Sequence, residues 1–267
     1  MDERKNFLNE VQKNIRLMGD DSDLKLLSLE WITSSLKYKY CYNFEWMGRP
    51  IIQFPQDIVA VQELIWSVKP DLIIETGIAH GGSLVLSASI LALLDYCDAL
   101  ENEEKLDPSA PKRKVLGIDI DIRQHNREAI EVHPMSNRIK MIEGSSISSE
   151  IISKVKKFAA PFKKIMVFLD SNHAHDHVLK ELEAYAELTS IGSYCVVFDT
   201  LIEDVDDKYN LNKPWQIGNN PKTAVYEFLK KSKAKNPANL AKFKIDKTIP
   251  DKLLITVAPD GFLQRIR

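Results

Sequence analysis

The sequence predicts an α/β fold, namely a doubly wound, mostly parallel Rossmann-like sheet of seven strands with an N-terminal helical cap. Three observations support this prediction. Short continuous apolar runs alternate with amphipathic stretches over most of the chain, which is typical of parallel strands covered by helices on both faces. The first run, Leu72–Glu75, leads into a glycine-rich turn and then a long apolar stretch. An acidic residue ends or follows each of five successive runs.

Residues 1–54 precede this alternation and are predicted to form a helical cap or lid. Two apolar stripes at helical spacing flank a polar break at residues 19–23, so we expect two amphipathic helices. An aromatic cluster, Tyr38–Trp46, follows them. Such rings suit a hydrophobic cover over the main domain, and equally a substrate lid or an oligomer contact.

The main domain is predicted to span residues 55–267. Asp57 is placed to cap its first helix, which ends before Pro70. The apolar runs predict strands at Leu72–Glu75, Val115–Asp119, Ile139–Ile142, Ile165–Asp170, Tyr194–Asp199 and Leu253–Val257. Amphipathic stretches predict helices at Ser83–Ala99, His125–Val132, Ser149–Phe158, His177–Leu188 and Thr223–Lys231. The turn residues Ala258–Gly261 predict a hairpin that closes the sheet edge.

The bulk composition narrows the function classes. The chain has 267 residues and a formal net charge of −2, which disfavours a nucleic-acid binder because such proteins usually present a basic face. Three widely spaced cysteines form no CxxC pair, so neither a zinc ribbon nor a disulfide framework is indicated. No secretory signal is visible, and no apolar run is expected to span a bilayer. We therefore expect a soluble, cytoplasmic protein.

The glycine-rich turn after the first strand is the most informative motif. Glu75 ends the strand, and Gly77, His80, Gly81 and Ser83 follow. Glycines permit positive φ and close backbone approach, and the next helix offers free N–H groups at its N-terminus. The spacing is neither the dinucleotide GxGxxG nor a P-loop. A carboxylate beside a short glycine turn suits a ligand with a cationic amino-acid head, such as S-adenosylmethionine.

Two further strand ends predict contacts with the nucleoside part of such a ligand, since ligands of open α/β sheets bind at the carboxyl ends of the strands. Asp119, at the end of the second strand, can accept both ribose hydroxyls or cap the following helix. Ser145, after the third strand, leaves room and hydrogen-bonding capacity beside an adenine ring. Equally, Ser148 or Ser149 of the same segment can cap the next helix.

The fourth and fifth strands predict a metal site. They end in Asp170 and Asp199, and two hard oxygen donors close together favour Mg²⁺ or a similar divalent cation. His173 can take the proton of a substrate hydroxyl whose pKa the metal lowers, or it merely caps or packs the next helix. An iron site is the alternative, in which Asp170, His173 and His177 form a two-His, one-carboxylate triad.

Several motifs occur in one order along the chain, and together they resemble the cephalosporin hydroxylase family over about residues 46–262. These motifs are Glu-Thr-Gly-Ile-Ala-His-Gly-Gly-Ser, Gly-Ile-Asp-Ile-Asp-Ile-Arg, Glu-Gly-Ser-Ser, Leu-Asp-Ser-Asn-His-Ala-His-Asp-His-Val and Gly-Asn-Asn-Pro-Lys-Thr-Ala-Val. The resemblance implies the S-adenosylmethionine-dependent methyltransferase fold, and the family includes sugar O-methyltransferases acting on rhamnosyl groups. The residues that it places around the cofactor are Glu75, Gly77, Ser83 and Asp119.

The layout is also similar to metal-dependent O-methyltransferases of the catechol and macrolide-sugar types. In those enzymes a metal-binding Asp ends the fourth strand and the base lies three positions later, which implies these roles for Asp170 and His173. The second metal ligand maps onto Asp199. Catechol-type enzymes have Asn at the next position, where this chain has Thr200. The third protein ligand would be Thr200 or one of two substitutes, Glu203 and Asp204.

The sequence therefore predicts an S-adenosylmethionine-dependent, Mg²⁺-assisted O-methyltransferase that acts on a hydroxyl of a sugar or glycosylated natural product. Its partner would be a small-molecule or glycan acceptor, and the aromatic N-terminal segment offers one surface for a homo-oligomer. Two alternatives stay open. One is an iron-dependent hydroxylase, and the other is a catalytically silent cofactor-binding subunit that supports a partner enzyme.

Overall fold

The computed structural model describes residues 3–206, 213–234 and 241–267. The strands are β1 Phe44–Trp46, β2 Arg49–Ile51, β3 Leu72–Thr76, β4 Lys114–Asp119, β5 Ile139–Glu143, β6 Ile165–Leu169, β7 Tyr194–Val197, β8 Phe243–Ile245 and β9 Phe262–Arg265. The α-helices are α1 Glu3–Asp20, α2 Ser22–Leu36, α3 Pro55–Val68, α4 Gly82–Glu101, α5 Gln124–Glu131, α6 Ser149–Ala159, α7 His175–Tyr185, α8 Pro221–Ala234 and α9 Thr248–Leu253.

Seven of these strands form one sheet in the order β5-β4-β3-β6-β7-β9-β8. The strands from β5 to β7 are parallel, whereas β9 runs antiparallel to both of its neighbours. The chain order reverses between β3 and β6, and ligands of open α/β sheets bind at such a switch point. The predicted doubly wound, mostly parallel sheet is confirmed.

The central strands β3 and β6 are buried along their whole length, which explains why they read as uninterrupted apolar runs. Successive side chains point to opposite faces of a sheet. Ile73 accordingly belongs to the core formed with α3 and α4, and Ile74 belongs to the core formed with α6, α7 and α8. The two cores lie on opposite faces of the sheet, as the alternation of strands and helices predicts.

Helix α4 bears on the expectation that no apolar run spans a bilayer, because its length and composition alone would allow it to cross one. It passes this test of length and composition with half of its apolar window buried inside the fold. Leu84, Leu91 and Leu94 are fully buried in the core against the sheet. A core helix of a globular domain passes the same test, and the position of α4 is that of a core helix.

The predicted last strand and its hairpin are wrong. Residues 253–257 form the end of α9 and a bend, and the helix ends where Leu254 takes a positive φ of 60°. Ile255 and Val257 pack on a small apolar cluster that includes Ile32 and Phe54. The strand that pairs with β9 is β8, at Phe243–Ile245, and its short, charged sequence carries little strand signal.

Asp57 does not cap α3, contrary to the sequence prediction. The helix begins at Pro55, and its N-cap residue, Phe54, provides no side-chain hydrogen bond. The Asp57 carboxylate is buried and accepts hydrogen bonds from Thr256 Oγ1 at 2.5 Å and from Val257 N at 3.0 Å. Asp57 therefore fastens the carboxyl-terminal segment to α3.

A buried ion cluster joins α4 to the neighbouring strands and provides a test of the fold. Asp95 accepts hydrogen bonds from Arg113 Nη1 and Arg138 Nη1, both at 2.5 Å, and all three side chains are buried. We expect Asp95→Ala to lower the free energy of unfolding by about 3–5 kcal/mol, because it removes the buried carboxylate shared by both guanidinium groups and leaves Arg138 without an acidic partner among the described residues. Urea unfolding measures this loss. An equal loss in Asp98→Ala, which removes only partly exposed ion pairs with Arg113 and Lys69, would contradict the argument.

Candidate active site

A cavity of about 580 Å³ opens where β3, β6 and β7 end, at the topological switch point. The predicted site residues on its wall are Gly77, His80, Ser83, Asp170, His173 and Asp199. The structure also describes the other predicted site residues, which do not line this cavity. These residues are Glu75, Gly81, Asp119, Ser145 and Thr200.

Glu75 lies directly behind the cavity wall, with 2% of its surface exposed. Its Oε1 accepts a hydrogen bond from Ser83 Oγ, whereas its buried Oε2 has no hydrogen-bond partner among the described residues. Burial raises the pKa of Glu75 to about 7. A buried carboxylate oxygen without a partner is energetically costly. The position therefore suits a cationic group that enters from the cavity.

The turn between β3 and α4 requires glycine for steric reasons. Gly77 has φ of +90°, and a Cβ at this position would lie 2.0 Å from the backbone oxygen of Asp170. Gly81, in the N-cap position of α4, has φ of +84°, and a Cβ there would meet the Ile130 side chain at 2.4 Å. The glycines thus let the backbone pass close to the end of β6 and leave the N-terminus of α4 open toward the cavity.

Asp119 holds this turn from the neighbouring strand. Its Oδ2 accepts hydrogen bonds from Ile78 N at 2.8 Å and Ala79 N at 3.3 Å, and Oδ1 accepts one from Asp121 N at 3.2 Å. The N-cap residue of α5 is Arg123, which has no side-chain cap, so Asp119 does not cap that helix. The carboxylate orders the backbone that forms the cavity wall.

Arg49 also holds the turn, and sequence reasoning missed it. Arg49 Nε and Nη2 donate to His80 O at 3.0 and 2.6 Å, and Nη2 also donates to Asn126 Oδ1 at 3.0 Å. Asn126 Nδ2 in turn donates to Ala79 O at 3.0 Å. A single arginine in the N-terminal segment carries no recognisable motif, and only the folding of the β1–β2 hairpin beside α4 brings it to the turn.

Asp170, His173 and Asp199 form a compact cluster on the cavity wall. One ligand atom from each residue lies within 4.8 Å of the other two, and His173 Nδ1 is 3.4 Å from Asp199 Oδ2. Burial, and then the Asp199 carboxylate, raise the pKa of Asp170 well above its ordinary value. Two such acids repel each other when both are ionised, and a divalent cation between them offsets this repulsion. Two carboxylates are donors that Mg²⁺ prefers.

The other expected metal ligands have different partners. The Thr200 side chain is fully buried, and its Oγ1 accepts a hydrogen bond from Asp260 N at 3.4 Å. Glu203 Oε2 accepts a hydrogen bond from Gly218 N at 2.8 Å, and Asp204 forms an ion pair with a lysine of α8. These contacts hold the loops around the cavity in place. The third member of the cluster with Asp170 and Asp199 is instead His173.

His177 is not part of the cluster, so the two-His, one-carboxylate triad is wrong. Helix α7 begins at His175, and His173 lies in the preceding loop. His173 and His177 are therefore not neighbours on one helix face. His177 Nε2 lies 3.1 Å from Ser146 Oγ and 3.3 Å from Ser171 Oγ instead.

Aromatic rings from two distant segments complete the cavity wall. Trp215 packs edge-to-face on the His173 ring, with centroids 4.6 Å apart and an interplanar angle of 88°. Tyr42 of the N-terminal aromatic segment also lines the cavity. Tyr40 of the same segment packs against Phe54. One segment thus supplies both a hydrophobic cover and a surface that faces the cavity.

Comparison with known proteins identifies the family that this chain resembles. The profile described as "Rhamnosyl O-methyltransferase/CmcI" matches residues 38–266. Rhamnosyl O-methyltransferases of Mycobacterium tuberculosis and Mycobacterium bovis are 28% identical to this chain over 239 residues, covering 85% of it and 83% of their own length. The Mycobacterium leprae protein of the same name is 26% identical over 156 residues, which covers 58% of this chain and 59% of its own.

Two solved structures share the fold. The structure described as "cmcI-D160 Mg-SAM" aligns with a TM-score of 0.51 and 16% identity, covering 85% of this chain and 78% of its own. The structure described as "cmcI-N160 SAH" gives a TM-score of 0.53 at 18% identity, with 84% and 83% covered. Because the family profile matches far more than half of the residues, the chain belongs to the Rhamnosyl O-methyltransferase/CmcI family.

Proposed function

We propose that this chain is an S-adenosylmethionine-dependent, Mg²⁺-assisted O-methyltransferase that acts on a hydroxyl of a sugar or glycosylated product. The observation that carries the proposal is one cavity flanked by a partnerless carboxylate oxygen of Glu75 and by the cluster of Asp170, His173 and Asp199. Membership of a family that includes rhamnosyl O-methyltransferases supports the reaction class. A relative described with Mg and SAM supports the two cofactors.

The cofactor lies along the glycine-rich turn in this proposal. Glu75 Oε2 would accept a hydrogen bond from the ammonium group of the methionine part, and Gly77 and Ser83 would contact the same part from the cavity wall. A carboxylate oxygen accepts more than one hydrogen bond, so Asp119 retains capacity for the ribose hydroxyls beside its bonds to the turn. Ser145, two residues after β5, would contact the adenine ring.

The acceptor hydroxyl is activated on the opposite side of the cavity. Asp170 and Asp199 would hold Mg²⁺, which would lower the pKa of the acceptor hydroxyl. His173 would remove the hydroxyl proton, and its edge-to-face contact with Trp215 restricts the orientation of its ring. Holding the acceptor oxygen in line with the methyl group supplies much of the rate enhancement.

A calorimetric titration of the metal-stripped protein tests this proposal. We expect S-adenosylmethionine to bind saturably at one site per chain, and Mg²⁺ to bind at a second site. Methyl transfer is then measured with rhamnosides and other glycosides as acceptors. If S-adenosylmethionine does not bind with or without Mg²⁺, the proposal is wrong.

Glu75→Gln is expected to weaken S-adenosylmethionine binding by about 10–100-fold, since a hydrogen bond to a charged group contributes about 1.5–3 kcal/mol. The amide keeps the shape of the side chain but removes its negative charge. In the wild type, affinity should also fall as the pH drops below about 7, because the Glu75 carboxyl then becomes protonated.

Calorimetric dissociation constants at several pH values measure both effects. Ser87→Ala, at a buried position near the start of α4, is the matched control and should retain wild-type affinity. Equal affinities in Glu75→Gln and the wild type across this pH range would remove Glu75 from the cofactor site.

A further inference from the structure

Asp57 is a buried acid that the proposed chemistry does not use. It lies in the first turn of α3 with 1% of its surface exposed. No cationic side chain among the described residues forms an ion pair with it. Its carboxylate accepts hydrogen bonds only from Thr256 Oγ1 and Val257 N in the described part of the chain. Burial of an acid with neutral partners is costly, so its contacts require an explanation.

The partners of Asp57 begin a segment, residues 256–261, which we call the carboxyl-terminal strap. The strap runs beside the turn that follows β7. Leu201 N donates to Val257 O at 3.0 Å, and Asp260 N donates to Thr200 Oγ1 at 3.4 Å. One side of the strap is thus held by Asp57, and the other side holds the two residues directly after Asp199.

Asp199 has a backbone that needs such support. Its φ is 56°, in the left-handed region that residues other than glycine rarely adopt. Such a conformation persists only where the surrounding structure enforces it. The residues after it form one short 3₁₀ helix, Thr200–Asp204, and Leu201 and Val257 both line the cavity. The strap is therefore placed to hold the Asp199 carboxylate in the cluster.

We propose that Asp57 is a positioning residue for the metal site, acting on Asp199 through the carboxyl-terminal strap. This inference rests on the proposed function, in which Asp199 is a metal ligand. Groups that orient metal ligands by hydrogen bonds commonly change metal affinity or activity by about 10–100-fold when they are removed. In this proposal Asp57 orients Asp199 from outside the cavity, through the carboxyl-terminal strap and the 3₁₀ helix that follows Asp199.

The test is a calorimetric titration of Mg²⁺ into the purified full-length chain and its variants. We expect Asp57→Ala to weaken Mg²⁺ binding by about 10–100-fold and to leave the dissociation constant for S-adenosylmethionine at its wild-type value. Asp57→Asn keeps an oxygen that accepts the Val257 N–H and should regain most of the Mg²⁺ affinity. If Asp57→Ala does not fold, Thr256→Val takes its place and should also weaken Mg²⁺ binding.

Val68→Ala is the matched control, because Val68 is buried on the same helix about three turns further along. The Val68→Ala variant introduces a packing defect in α3 away from the strap, and this variant should bind Mg²⁺ as the wild type does. Wild-type Mg²⁺ affinity in Asp57→Ala would overturn the positioning role and leave the proposed function intact. Loss of both ligands in Asp57→Ala would indicate a general structural role and also overturn it. A wild type that binds no Mg²⁺ would overturn the proposed metal site together with this inference.

Discussion

His173→Ala is expected to lower the turnover of methyl transfer by about 10²–10⁴-fold, the usual contribution of a general base. His173 lies in the loop between β6 and α7, with Nδ1 3.4 Å from Asp199 Oδ2. The ring is therefore beside the two acids that we propose as metal ligands. The contacts of the ring shown by the structure are with Asp199 and Trp215, so binding of S-adenosylmethionine beside Glu75 should stay at the wild-type level.

Single-turnover rates with a glycoside acceptor and calorimetric titration of the cofactor measure these two quantities separately. His175→Ala is the control, because the His175 ring contacts Thr223 and Glu227 on α8. It should have a much smaller effect on turnover. Full turnover in His173→Ala would show that the reaction does not use this histidine as a base.

Asp170→Asn is expected to lower turnover by at least about 10³-fold, because metal-ion catalysis contributes several kcal/mol of transition-state stabilisation. The same change should not destabilise the fold. Burial and the Asp199 carboxylate raise the pKa of Asp170, so the folded protein binds this proton more tightly than the unfolded chain. The stability that this group contributes to the wild type is therefore lost as the pH rises from the pKa of an aspartate in the unfolded chain to the raised pKa of Asp170 in the folded protein. The neutral amide avoids this loss, and at neutral pH the variant should be at least as stable as the wild type.

Three measurements test this combination: Mg²⁺ titration, initial rates as a function of Mg²⁺ concentration, and urea unfolding of the metal-stripped proteins. Asp176→Asn, at an exposed position on α7, is the control and should match the wild type in all three. Wild-type turnover in Asp170→Asn would exclude the aspartate as a metal ligand. A lower free energy of unfolding would instead show that the charged carboxylate stabilises the fold.

The sequence by itself determined the fold class and the family, since both depend on local patterns. Leu72–Glu75 and Ile165–Asp170 are recognisable as strands because burial on both faces requires continuous apolar runs. The glycines at positions 77 and 81 signal a tight turn because both have a positive φ, and a Cβ at position 77 would clash with the backbone of Asp170. The acids that end β6 and β7 were predicted to converge because parallel strands end at the same sheet edge, and the structure brings Asp170 and Asp199 together. The ligand roles assigned to these residues stay predictions.

Only the tertiary structure decided the contacts between distant parts of the chain. Arg49 reaches His80 through the β1–β2 hairpin, and Asp57 binds Val257 across 200 positions of sequence. The choice between Asp199 and His177 as the partner of Asp170 and His173 depended on where α7 begins. Hydrophobic periodicity reports which face of an element is buried, and it carries no information on which polar groups meet at that face. Those pairings arise from the packing of whole elements.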